Sequence, residues 1–186
     1  GGAAVIARHA AALGAHPVLV TALPETEDGR AFARRLESEG VEVRSIASPM
    51  PVPEKQRFLV GSQKLMKLDL LDRFILDQTQ QDRFLALATQ TAAAEGGCDA
   101  AIIADFGLGL FSPQLLVKVC TQVRPHARVM SGDVSGKRSS LRAMRNLDLI
   151  CPSESELRDA MQLHEESLPL VTWRLLEETR AKAALV

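Results

Sequence analysis

The sequence predicts an α/β fold: a mostly parallel sheet with helices on both faces and a small antiparallel hairpin or lid. Two observations predict it. Nearly continuous apolar strands alternate with amphipathic helices along most of the 186 residues, which is typical of a parallel sheet covered on both faces. In addition, Gly61-Ser62 joins two strand-like segments as a tight hairpin turn would, and this is the one antiparallel signal in the sequence.

The first 50 residues alternate helix and strand. Ile6, Ala10 and Leu13 recur at helical spacing, and Gly14 is placed to end that helix. A strand is predicted over residues 17–20, a helix over 29–39 with Phe32 and Leu36 on one face, and a strand over 41–46.

The later elements follow from the same periodicities. The hairpin strands are predicted over residues 57–60 and 63–68. The remaining strands are predicted over residues 100–105, 127–130, 147–151 and 183–186. The remaining helices are predicted over residues 77–95, 113–123, 141–145, 154–163 and 168–180.

Composition narrows the class of protein. A net charge of −1 and an aromatic content of 4% argue against a nucleic-acid partner. No apolar run approaches the ~20 residues that span a bilayer, so no membrane partner is expected. Cys98, Cys120 and Cys151 fit neither a zinc pattern nor a disulfide framework. Together with the lack of a secretory signal at the start, they indicate reduced thiols in a cytoplasmic protein.

The two ends of the sequence lead us to expect a partial domain. The chain starts on a glycine pair that enters a helix, and it stops on residues 183–186, which have the pattern of a buried strand. We therefore interpret residues 1–186 as one domain truncated at both ends.

Carboxylates and a helix start follow three successive predicted strands. Asp105 ends one strand, Asp133 follows the next, and Ser153 and Glu156 follow the third. Ligands of open parallel sheets bind beyond the carboxyl ends of the strands. Oxygen ligands hold Mg²⁺, and helix N-termini attract phosphate. The pattern therefore favours a Mg²⁺-phosphate site at this edge.

Each of these residues also has a structural interpretation. Ser153-x-x-Glu156 is a capping box, Asp133 can start a turn, and Asp105 can lead into a glycine turn. Gly107-x-Gly109-x-x-Ser112 superficially resembles a dinucleotide fingerprint in which Ser replaces the third glycine, so a nicotinamide-dependent oxidoreductase remains a rival.

Four motifs occur in an order that is more specific than any of them alone. They are Gly1-Gly2-Ala3-Ala4, followed by Leu13-Gly14 and later Glu39-Gly40-Val41; Lys55-Gln56-Arg57-Phe58 with residues 63–69; Ala104-Asp105-Phe106-Gly107-x-Gly109; and Cys151-Pro152-Ser153-x-x-Glu156. With them the chain resembles the PfkB/ribokinase family of carbohydrate kinases over essentially its whole length. The second motif resembles kinase domains of the ADP-heptose synthase type.

The resemblance implies a ribokinase-like fold and an ATP- and Mg²⁺-dependent transfer of phosphate to a hydroxyl of a sugar or sugar phosphate. It implies sugar contacts at Gly1, Gly2, Lys55 and Arg57, where paired glycines would let a ligand approach the backbone. It implies nucleotide or phosphate contacts at Asp105, Asp133, Ser153 and Glu156, with Glu156 at the metal.

The family's catalytic Asp is expected downstream of Val186, so residues 1–186 alone are expected to be inactive. Three positions depart from the family pattern: Val5 and Ser153 replace Asn, and Leu108 replaces a frequent Lys. A non-catalytic sugar-binding or regulatory relative is therefore the alternative. The hairpin is expected to leave the parallel sheet and to act as a lid or as the edge of a possible homodimer.

Overall fold

The computed structural model describes residues 2–70, 75–135 and 140–186, except for the side chains of Lys55, Lys64, Lys67 and Asp69. The chain divides into two compact units, Gly1–Phe74 and Ile75–Val186. Each unit is described by itself below.

The first unit begins with two helix–strand pairs. Helix α1 (Gly2–Ala12) leads to strand β1 (Val18–Leu23), and helix α2 (Glu27–Ser38) leads to strand β2 (Glu42–Ala47). The two strands pair in parallel. A small core forms because the apolar faces of both helices meet the start of β2. Its buried members are Ala4, Ala7, Leu36 and Val41, with Phe32, Leu19 and Val43 packed against them.

An antiparallel hairpin completes the first unit. Strand β3 (Glu54–Val60) pairs with strand β4 (Gln63–Leu70) in a separate two-stranded sheet, with a bulge after Phe58. Gly61 has the positive φ of 58° that a tight turn requires. The prediction that the hairpin leaves the parallel sheet is confirmed.

The second unit holds a three-stranded parallel sheet in the order β5-β6-β7. Its elements, in chain order, are α3 (Gln78–Ala93), β5 (Cys98–Asp105), α4 (Pro113–Val123), β6 (Ala127–Val134), β7 (Leu149–Cys151), α5 (Glu154–Met161) and α6 (Leu168–Thr179). Short 3-10 helices cover Ala94–Gly96, Arg124–His126 and Leu141–Ala143.

The core of the second unit lies where α4, the Leu141–Ala143 turn and the sheet meet. The side chains that it buries completely or almost so include Leu115, Leu116, Met130, Leu141, Met144, Leu147, Ile150, Leu157 and Leu175. Gly132 is required inside β6 because a Cβ there would lie 2.5 Å from Met144 Sδ and 2.8 Å from Leu147 Cδ1. The sheet is therefore packed closely at its central strand.

The predicted α/β class, mostly parallel with one antiparallel hairpin, is confirmed. Three local predictions were wrong. Residues 183–186 form a single parallel bridge between Ile150 and Ala184 rather than a strand. Of residues 141–145, only Leu141–Ala143 are helical, in a 3-10 turn rather than an α-helix, and Asp133 lies inside β6 rather than after it. Across the described ranges, none of the helices has the length and apolar character needed to cross a membrane.

Candidate functional site at the carboxyl edge of the second sheet

The strand register sets three residues side by side near one edge of the second sheet. Ala104 of β5 pairs with Asp133 of β6, and Asp133 pairs with Cys151 of β7. Aligned residues of parallel strands project to the same face. Asp133 therefore stands between Ala104 and Cys151, close to the ends of all three strands.

Asp133 is half-buried, and its environment disfavours the charged form. Burial raises the pKa of its carboxyl above the ordinary value, and the nearby negative charge of Glu156 raises it further. The backbone amide of Val134 acts in the opposite direction. Two carboxylates therefore share one neighbourhood at this edge, which a bound cation would neutralise.

Helix α5 begins directly after β7, with Ser153 as its N-cap. Glu156 Oε2 accepts hydrogen bonds from the Ser153 amide at 2.9 Å and from the Ser153 hydroxyl at 2.7 Å. In return Ser153 Oγ accepts the Glu156 amide at 3.4 Å. The capping-box interpretation is correct, and the cap holds the Glu156 carboxylate at the start of α5.

Asp105 is almost fully buried, with 4% of its surface exposed. Its Oδ1 accepts the Gly107 amide at 3.0 Å, and its Oδ2 accepts the Ser140 amide at 2.9 Å. Both carboxylate oxygens of Asp105 therefore accept hydrogen bonds from backbone amides. A direct contact of Asp105 with phosphate stays a prediction.

The glycine loop after β5 ends at α4. Ser112 caps that helix by accepting the Leu115 amide at 3.1 Å, and it also contacts Gln81 of α3 at 3.2 Å. The ring of Phe111 packs edge-to-face on Phe84, with centroids 5.7 Å apart. The Gly107 amide is engaged by Asp105, so the loop offers one amide fewer to a pyrophosphate than the dinucleotide interpretation needs.

The predicted sugar-side residues belong to the first unit. Gly1 lies outside the described residues. Gly2 is the first residue of α1, Lys55 lies on β3, and Arg57 is an exposed β3 residue whose cross-strand partner is Lys67. Their contact with a sugar stays a prediction.

A carboxylate with two cationic partners lies at the opposite, amino edge of the same sheet. Asp148 accepts Lys182 Nζ at 2.7 Å, the Met130 amide at 2.7 Å and the guanidinium of Arg124. The Lys182 and Arg124 cations and the amide hold the pKa of Asp148 well below its usual range. This cluster ties strand starts together and is separate from the candidate site.

Sequence reasoning missed two residues at the carboxyl edge. Cys151, whose thiol pKa is raised by burial and by the charge of Asp133, could have been found from the alignment of parallel strands. Ser140 could not, because it meets Asp105 across 35 residues of sequence. No group of three or more His, Cys, Asp or Glu residues suited to a metal occurs within ranges 2–70, 75–135 and 140–186. A metal here would need further ligands.

Comparison with known proteins gives sequence relatives over the whole chain. The bifunctional protein HldE of Hyphomonas neptunium is 26% identical over 192 residues, covering 100% of this chain and 38% of that protein. The HldE protein of Pseudomonas savastanoi pv. phaseolicola is 30% identical over 191 residues, with the same coverage of both. The chain thus spans little more than a third of these relatives. No family model matches it.

Solved structures agree on the fold. Phosphofructokinase-2 from Escherichia coli in complex with potassium has a TM-score of 0.77 at 14% identity, covering 97% of this chain and 58% of that one. Ribokinase from Arabidopsis thaliana complexed with ribose and ATP has a TM-score of 0.65 at 16% identity, covering 100% of this chain and 59% of that one. The resemblance to PfkB/ribokinase carbohydrate kinases is confirmed. The fold of the chain is ribokinase-like.

Proposed function

We propose that the full-length protein is a carbohydrate kinase that transfers the γ-phosphoryl group of ATP to a hydroxyl of a sugar or sugar phosphate. The observation that carries the proposal is the pair Asp133 and Glu156 at the carboxyl edge of a ribokinase-like sheet, beside the start of α5. Phosphoryl transfer needs a metal and fixed donors around the migrating group more than it needs covalent chemistry from the protein.

The donor set fits Mg²⁺ held together with a nucleotide. Mg²⁺ in proteins is commonly bound by one or two carboxylates, with substrate phosphates and water filling the other positions. Glu156 would hold the metal, directly or through water, and Asp133 would add a second negative charge. The pKa of Asp133 is raised mainly by burial and further by the negative charge of Glu156, and a cation would relieve the repulsion between the two carboxylates.

The N-terminus of α5 would receive phosphate oxygens. Ser153 lies at the N-cap and is exposed, and the helix dipole favours an anion there. Glu154 and Glu156 in the first turn oppose an anion on their own, so we expect phosphate to bind at this end together with the metal.

The sugar side of the proposal rests on Gly1, Gly2, Lys55 and Arg57. Heptose phosphate is a candidate acceptor because the stretch from Lys55 to Asp69 resembles that of ADP-heptose synthase-type kinase domains. The resemblance assigns the catalytic Asp to a position downstream of Val186. We therefore propose residues 1–186 as a partial kinase domain, in a cytoplasmic protein.

A non-catalytic sugar-binding relative is the second candidate. One observation favours it: Val5, 45% exposed on α1, stands where the family commonly carries Asn and offers a sugar no hydrogen bond. Sugar binding without any turnover would support this second candidate.

We further propose that the hairpin mediates pairing with a second copy of the chain. Phe58, Met66, Leu68 and Leu70 share one hairpin face in the strand register, and each is 41% to 52% exposed. An isolated two-stranded sheet is only marginally stable in water, and an apolar face of this kind is typical of an interaction surface. A homodimer would cover it.

The test of the kinase proposal is an assay of the full-length protein with Mg-ATP and a panel of sugars and sugar phosphates, heptose phosphate included. We expect turnover that depends on Mg²⁺ and on one acceptor class. Hydrolysis without an acceptor, or tight binding of NADH with no phosphoryl transfer, would contradict it. Residues 1–186 assayed in parallel should show no turnover.

A further inference from the structure

Asp105 is a buried residue that accepts hydrogen bonds from three backbone amides. Its side chain accepts the amides of Gly107 and Ser140, at 3.0 and 2.9 Å, and its main-chain oxygen accepts the Ser135 amide at 2.9 Å. One residue therefore ties together the loop after β5, the end of β6 and the start of the Leu141–Ala143 turn.

The loop after β5 depends on Asp105 at one end only. Its far end is anchored independently by the packing of Phe111 on Phe84 and by the contact of Ser112 with Gln81. Between these anchors the backbone turns through Gly107 and Gly109, which have positive φ values of 65° and 93°. Without Asp105 the near end of this glycine turn loses its side-chain anchor.

The position of the loop matters because of its neighbour. Asp105 pairs with Val134, and the preceding pair sets Ala104 beside Asp133. Because the two strands are parallel, the loop leaves the sheet beside the end of β6, one residue beyond the level of Asp133. A shift of the loop or of the Ser140 segment would therefore act on the site through the ends of β5 and β6, without removing any group from it.

We infer that Asp105 is a positioning residue of the candidate site, which holds the Gly107 turn and the start of the Ser140 segment at the end of β6, the strand that carries Asp133, and touches no ligand itself. This inference rests on the proposed kinase function. In this inference Asp105 holds backbone segments in place and does not contact phosphate directly.

The experiment replaces two carboxylates of the same sheet by amides, each in a separate variant of the full-length protein. One carboxylate is buried and the other is half-buried. Asp105→Asn keeps the size of the side chain but leaves one backbone amide facing an NH₂ group. Asp148→Asn is the matched control, since Asp148 also accepts a backbone amide, that of Met130, but at the opposite edge. Steady-state kinetics and melting temperature are measured for both, together with hydrogen exchange of the peptide over residues 106–111.

For Asp105→Asn we expect kcat to fall about 10- to 100-fold, because a small displacement of the site slows the chemical step. The KM for Mg-ATP should stay within about twofold, because the contacts that bind the ground state and the transition state equally are retained. Exchange over residues 106–111 should be faster than in the wild type. Asp148→Asn should lower the melting temperature and leave kcat unchanged.

A second pair of variants keeps the test decisive if Asp105→Asn does not fold. Ser140→Pro removes the amide that Asp105 Oδ2 accepts, at a φ of −95° that is near the range of proline, whereas Ser140→Ala keeps that amide. We expect a lower kcat for the proline variant only. Wild-type kcat in both Asp105→Asn and Ser140→Pro would overturn the inference while leaving the kinase proposal intact. A wild-type protein with no activity on any acceptor would overturn the kinase proposal and this inference with it.

Discussion

Glu156 Oε2 lies 2.7 Å from Ser153 Oγ and 2.9 Å from the Ser153 amide, so the side chain that resembles a family metal ligand is also half of a capping box. The two interpretations do not compete. The cap holds the Glu156 side chain at the start of α5, which is where the proposed metal site requires it.

The variant Glu156→Gln separates the capping role of Glu156 from its proposed role at the metal. Gln keeps an oxygen that can accept the Ser153 amide, so loss of stability should stay below the ~1 kcal/mol that a lost cap costs. We expect kcat of the full-length protein to fall by far more than stability does, because the charge at the metal is gone. The measurements are kcat at saturating Mg-ATP and the melting temperature.

The control for this exchange is Gln80→Glu. Asp77 and Gln80 form the equivalent capping box at the start of α3, so the same Gln–Glu exchange is made in reverse at another helix start. It should leave kcat unchanged. Unchanged kcat in Glu156→Gln with a modest drop in melting temperature would favour a capping role alone.

Asp133→Asn tests the electrostatics of the site through pH. The carboxyl pKa of Asp133 is raised in the folded protein by burial and by Glu156. A raised acid pKa contributes stability that is present below the unfolded value, about 3.9, and lost as pH rises through the folded value. We therefore expect the stability of Asp133→Asn relative to wild type to improve as pH rises from about 4 toward neutrality.

Urea unfolding of both proteins across that pH range measures the effect. Saturating Mg²⁺ and nucleotide should stabilise the wild type more than Asp133→Asn, since ligand that binds only the folded state raises stability. A constant difference at all pH values would show that the pKa of Asp133 is not raised in the folded protein.

The parts of the site that are local in sequence could be predicted. Ser153-x-x-Glu156 is a capping box within four residues, and the structure contains it. Asp105 was correctly placed at the end of a strand, because the apolar run from Ala100 to Ala104 stops there. Its partner Ser140 carries no such signal, because the contact arises only when β5 and β6 pair.

The misplaced elements have physical reasons. The sequence predicts that the strand ends before Ser131, Gly132 and Asp133, because Gly and Asp are depleted in strands. They continue β6 because β7 pairs with them and because Gly132 alone leaves room for Met144 and Leu147. Residues 183–186 have the apolar pattern of a strand, but among the described residues they form a single parallel bridge, between Ala184 and Ile150.

Phe58→Ser tests self-association through the hairpin. Phe58 belongs to the apolar face and pairs with Met66, so a polar residue there removes apolar area that a second copy would cover. We expect the full-length protein to shift from dimer to monomer in light scattering coupled to gel filtration. Leu59→Ser is the matched control, because Leu59 is adjacent, is 59% exposed and projects to the other face. Equal effects of both variants, or a monomeric wild type, would contradict the dimer.

Asp148→Asn should behave opposite to Asp133→Asn with pH. Lys182, Arg124 and the Met130 amide hold the pKa of Asp148 well below its usual range. A depressed acid pKa contributes stability that is present above the unfolded value, about 3.9, and is lost as pH falls through the folded value. The variant should therefore be less stable than wild type at neutral pH, and the difference should shrink as the solution is acidified below about pH 4. Because Lys182 is largely exposed, the difference should also shrink in 1 M salt, where the screening length is about 3 Å. Melting temperatures across pH and salt measure both trends, and a deficit that grows on acidification would show that Asp148 is not stabilised by its cations.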